Sequence, residues 1–97
     1  MNDRAHIRLL VLQALETSPQ YTANQETLIK ALKGQGFAVS RDQLHIELAW
    51  LENNADAIVD QVSGGVHIAT LTLTGQEAAQ GVVVVPGIAR PFPGRAG

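Results

Sequence analysis

Apolar residues recur at helical spacing from about Asp3 to Thr17. Ile7, Leu10, Val11, Ala14 and Leu15 form one stripe, and Ser18-Pro19 stops the helix. Leu9 and Leu12, with Ala5, fall on nearly the opposite side, where a second subunit is expected to cover them. Residues 21–25 lead into a second helix, capped by Thr22 with Gln25 or by Asn24 alone. Its inner face is Leu28, Ile29 and Leu32, and Lys30 and Lys33 point outward. Gly34 fits a left-handed C-terminal residue, and Phe37 and Val39 alternate with Ala38 as an extended link. Ser40 with Gln43 three residues on is a capping-box start for a third helix, from Arg41 to about Asn53. Leu44, Leu48 and Leu51 line its core side; Asp42, Ile46, Ala49 and Asn53 line its far side, with His45 and Trp50 on the flanks.

Beyond the third helix the period changes from helical to alternating. Residues 57–62 predict a strand, Ser63-Gly64-Gly65 a turn, and residues 66–71 the returning strand. Residues 72–81 predict a short last helix with Thr74 and Glu77 as its capping box and Gly81 as its stop. Val82, Val83, Val84 and Val85 are four β-branched residues in a row, which predict a strand covered by a partner rather than a free edge. The expected fold is mainly α with a small β-hairpin (α+β). Its element order, three helices, a hairpin, a short fourth helix and a C-terminal β or extended tail, is that of a winged helix-turn-helix. Residues 1–85 would be the domain, and 86–97 an extended Pro/Gly-rich tail. The third helix would sit in the recognition position.

A chain of 97 residues, 45% apolar, holds one domain and one modest core. Charge changes the picture more than composition does. The formal net charge is −2. From residue 41 to 80, Arg41 stands alone against Asp42, Glu47, Glu52, Asp56, Asp60 and Glu77, whereas Arg90 and Arg95 carry the tail. Affinity for DNA comes mainly from Lys and Arg neutralising phosphates. The third helix and hairpin therefore lie in the most acidic part of the chain. A base-reading helix presents Arg, Asn, Gln or Ser. This one presents Arg41, Gln43 and His45 near its start, with Ile46, Ala49 and Trp50 after them; apolar residues of that kind fit a protein contact.

The chemistry of catalysis is missing. There is no cysteine, and His6, His45 and His67 stand on three different elements without metal-ligand spacing. Ser40 and Ser63 read as a cap and a turn rather than nucleophiles, and the glycines match no phosphate loop. No enzyme, cofactor, metal or small-molecule ligand is expected. No run of about eighteen apolar residues predicts a membrane span, and the amphipathic N-terminus does not read as a signal peptide. A bacterial cytoplasm is the expected location.

Several stretches together resemble a family of small proteins from Mu-like phages and prophages of Gram-negative bacteria. They are Tyr21-Thr22-Ala23-Asn24, Ser40-Arg41-Asp42-Gln43-Leu44, Leu48-Ala49-Trp50-Leu51, Leu71-Thr72-Leu73-Thr74-Gly75, Val85-Pro86-Gly87-Ile88 and Arg90-Pro91. The resemblance implies a winged-helix regulator of ArsR-like type. The reading that follows is a phage DNA-binding or transcription-regulatory homodimer. Arg41, Gln43 and His45 would contact double-stranded DNA, and Lys30, Lys33, Arg90 and Arg95 its phosphates. Leu9, Leu12, Ile46, Trp50 and Val82 to Val85 would form protein interfaces. The alternative is a protein-interaction module on the same scaffold, a phage assembly or host-factor adaptor that does not bind DNA.

Overall fold

The computed structural model describes residues 3–91. Four α-helices surround one face of a three-stranded antiparallel sheet: α1 (Asp3–Glu16), α2 (Gln25–Gly34), α3 (Arg41–Ala55) and α4 (Leu73–Gln80), with β1 (Thr22–Asn24), β2 (Ile58–Ser63) and β3 (Val66–Leu71). The α+β class and the helix and hairpin positions follow the apolar pattern closely. Ser40 caps α3 as its spacing predicts, its Oγ accepting from the Gln43 N–H at 3.0 Å. Leu44, Leu48 and Leu51 are fully buried on the inner side of that helix. Asn24 caps α2, accepting from the Thr27 N–H.

The approach to α2 is more than a lead-in. Gln20 and Tyr21 take left-handed backbone angles (φ 56° and 57°), which turn the chain so that residues 22–24 run beside the hairpin. Thr22 pairs with Thr70, Ala23 with Ala69 and Asn24 with Ile68, which gives the sheet the order β1-β3-β2. In β3, Ala69 and Leu71 face the core and His67 shares their side. Across the hairpin, Val62 is the partner of His67 and Asp60 of Ala69. Gly34 remains helical, and Gly36, at φ +93°, is the residue that uses glycine's freedom to leave α2.

Helix α1 departs most from the sequence reading. Leu9 and Leu12, expected under a second subunit, are 2% and 0% exposed within this one chain. α1 is a central helix: it packs on α2, α3 and β3 along one side and on α4 along another. A helix apolar around most of its circumference is a buried helix. Each leucine withdrawn from water stabilises the fold by about 1.5–3 kcal/mol, so the domain covers this face itself. Leu10 and Ala14, expected at the centre of the stripe, are instead half-buried along a groove between α1 and α2.

The C-terminal stretch differs too. α4 is capped by Thr72, whose Oγ1 accepts from the Gly75 N–H, and not by the Thr74–Glu77 box. Gly81 closes it in a left-handed conformation. The N–H groups of Val82 and Val83 then bond back to the Glu77 carbonyl. These donors finish a helix instead of a ladder, so residues 82–85 form no strand. Val82 and Val84 stay exposed, while Val85 packs on the core. Gly87 and Ala89 lie against α1, and Pro91 against Gly81 at the end of α4. Ile88 is buried, its N–H reaches the Val85 carbonyl, and the Ala89 N–H donates to the Ala5 carbonyl at 3.0 Å.

Candidate functional site

The residues expected to act cluster around α3 and the hairpin, and the structure sorts them by what they touch. Arg41 is exposed, and its Nε donates to Glu26 Oε2 at 2.8 Å, so α2 already neutralises the leading cation of α3. Gln43 is half-buried one turn in from the helix start. Lys30, Lys33 and Arg90 are exposed, with no carboxylate partner among the described residues. Arg95 lies outside the described residues.

Glu47, counted in the sequence only as part of the acidic segment, is 1% exposed. It sits where α3 crosses the N-terminal half of α1. Its Oε1 accepts from Arg8 Nε and its Oε2 from Arg4 Nε, each at 2.7 Å. The Arg8 guanidinium carbon lies 3.8 Å from the centroid of the Trp50 ring, and Arg8 Nη1 donates to the Gly87 carbonyl. Gly87, at φ +95°, touches the other part of that ring: a β-carbon there would lie 2.5 Å from Trp50 Cζ2. Trp50 is therefore half-buried beneath Arg8 and the C-terminal stretch, and is not the open docking residue that its place on the wheel implied. Arg8 and Glu47 were each flanked by apolar residues on an amphipathic helix. That pairing of opposite charges inside two apolar stripes was the signal available in the sequence.

His45 is held by a second network. Gln25, buried at the start of α2, uses one oxygen for two donors: the His67 backbone N–H at 3.0 Å and His45 Nε2 at 2.8 Å. A backbone N–H only donates, so this atom is the amide oxygen and His45 donates to it from Nε2. The His45 and His67 rings stack with centroids 3.7 Å apart. His67 Nδ1 donates to Asp60 Oδ2 at 2.8 Å, and the Asp60 N–H donates to Glu52 Oε2. Asp60 Oδ1 is buried without a partner. This chain of contacts ties α2, α3 and the hairpin into one rigid face. Neither Gln25 nor Asp60 stood out in the sequence, because nothing local marks a residue whose partners lie on other elements.

Replacing Gln25 with leucine is expected to leave the His67 N–H and the His45 ring unpaired in a half-buried place, costing about 1–3 kcal/mol. Amide exchange will read this as faster opening of residues 66–71 relative to the α1 amides.

The surface this network supports is apolar and acidic. Ile46 on α3 is 57% exposed and Val62 on β2 60% exposed, with Ala49 one turn further along α3. The stacked histidines lie between the two elements, since His67 is the cross-strand partner of Val62. Asp42 and Asp56 are exposed at the two ends of α3. The hairpin turn at Gly64-Gly65 carries no cation. Among the described residues no group of three or more His, Asp or Glu side chains is placed to hold a metal ion. No described helix is long and apolar enough to cross a membrane.

Comparison with known proteins adds one relationship. The chain is 34% identical over 86 residues to "Uncharacterized protein gp26" of Escherichia phage Mu, an alignment covering 89% of this chain and 88% of that one. No family model and no solved structure matches.

Proposed function

This chain belongs to the Mu phage family of gp26, and on that premise we propose that it is a winged-helix domain of a Mu-like phage or prophage whose α3–hairpin face docks another protein. The element order supports the winged-helix reading: helix, short strand, two helices, hairpin, with β1 completing the sheet. The observation that carries the docking reading is the fate of the cations. Arg4 and Arg8 are bound to Glu47, and Arg41 to Glu26. Helix α3 is left with Ile46 and Ala49 as its exposed ridge and Asp42 and Asp56 at its ends. A surface of this kind repels phosphate and desolvates readily against an apolar partner. The domain would act in the cytoplasm of the bacterial host.

A second reading, sequence-specific DNA binding as a homodimer, is favoured by the same element order and by exposed Lys30, Lys33 and Arg90. In it Arg41, Gln43 and His45 read bases. The dimer surface is reduced to Val82, Val83 and Val84, because Leu9, Leu12 and Val85 are used inside the domain. Gel retardation separates the two readings. We expect no retardation of phage DNA fragments at low salt, together with a discrete protein adduct from a photo-crosslinker placed at Ile46 during phage development. Retardation that weakens steeply with salt and is lost in Lys30→Glu would establish the DNA reading instead.

A further inference from the structure

The docking face has a chemical bias beyond being apolar: the charged groups it leaves unpaired are acidic. Between Arg41 and Leu71 the one Lys or Arg is Arg41 itself, against Asp42, Glu47, Glu52, Asp56 and Asp60. Glu47 is withdrawn into the α1 crossing, and Arg41 is held by Glu26. Asp42 and Asp56 are exposed, and Glu52 is half-exposed beside Asp60. His45 is engaged by Gln25 and His67 by Asp60, so both rings are tied into the domain. The same face exposes Ile46, Ala49 and Val62.

We propose that the partner is a basic polypeptide segment, with one or two apolar side chains seated on Ile46, Ala49 and Val62 and Lys or Arg on either side to meet Asp42 and Asp56. This rests on the docking reading and names the chemistry of what docks. Charge complementarity selects the occupant. A second copy of the same face would set Asp42 and Asp56 against acidic equivalents, and nucleic acid would bring phosphates to the same carboxylates. A cationic amphipathic segment satisfies both the apolar ridge and its acidic ends.

The test uses two synthetic helical peptides with the same leucine and alanine framework, one flanked by lysines and the other by glutamates. Each is titrated into the full chain while the Ile46 and Val62 methyl and Ala49 signals are followed by NMR. The lysine peptide is expected to shift these signals, to bind at least about ten-fold more tightly than the glutamate peptide, and to weaken as salt is raised. Asp42→Asn should weaken it several-fold, and Ile46→Lys should abolish it, with circular dichroism showing that both variants are folded. Equal binding of the two peptides at this face would overturn the basic-partner inference and leave the docking reading standing. Failure of the lysine peptide to shift these signals overturns the inference as well. If a DNA duplex shifts them instead, the docking reading falls with it.

Discussion

Glu47→Ala is expected to destabilise the domain by about 3–5 kcal/mol, because it strands the Arg8 charge where water cannot reach it. Arg8 is buried, and Glu47 is its one carboxylate partner among the described residues. The effect should show as a large fall in the midpoint of denaturant unfolding with little change in slope. Removing both charges separates burial from pairing. Arg8→Met with Glu47→Leu fills the same space without an ion, so the double variant should recover much of the loss. A double variant no more stable than Glu47→Ala would show that the hydrogen bonds of Arg8 to Gly87, and its stacking on Trp50, matter more than the ion pair.

Gly75→Ala is the second large effect. Gly75 is buried in the first turn of α4, where that helix meets the corner between α3 and β2. A β-carbon there would collide with the Ala57 carbonyl oxygen and lie 2.9 Å from the Ala57 carbonyl carbon and 2.8 Å from Leu71 Cδ1. Two of these three atoms are backbone, so no side-chain rotation relieves the overlap. That carbonyl also accepts the Thr72 N–H at 3.0 Å, and Thr72 Oγ1 donates to the Asp56 carbonyl. Pushing α4 outward therefore breaks the corner that anchors it. Overpacking usually costs about 1–3 kcal/mol. A value at or above the top of that range is expected here, against near-neutrality for Gly34→Ala, where a β-carbon meets nothing within 4 Å. Thermal unfolding of the two variants side by side checks this, and similar midpoints would refute it.

Both substitutions act on contacts between residues far apart in the chain, and such contacts were the hard part of the sequence. Local order was legible. Ser40, Asn24 and the leucines of α3 announce helix starts and a buried stripe, and the Gly64-Gly65 turn announces the hairpin. These features depend on neighbours within a turn or two. The helical spacing puts Leu9 and Leu12 on an outer face, because a wheel shows which residues share a side and not how many sides are covered. The four valines had the composition of a strand, but Val82 and Val83 give their N–H groups to the Glu77 carbonyl, a choice made by the end of α4. His45 and Arg41 stand out in the sequence as polar groups on α3. Their partners, Gln25 and Glu26, lie on the preceding helix.

The sequence by itself determined the α+β class, the order and approximate ends of the helices and hairpin, the leucine side of α3 and the acidic character of the segment around it. Each of these follows from local spacing, capping or charge count. Only the tertiary structure decided that α1 is enclosed, that Trp50 lies beneath Arg8 and Gly87, and that Glu47 is withdrawn from the surface while Ile46 of α3 and Val62 of β2 remain on it. The physical reason is that burial and ion pairing belong to pairs of elements. A charge inside an apolar stripe is tolerable only when another helix brings its counter-ion, and no single stretch of sequence carries both.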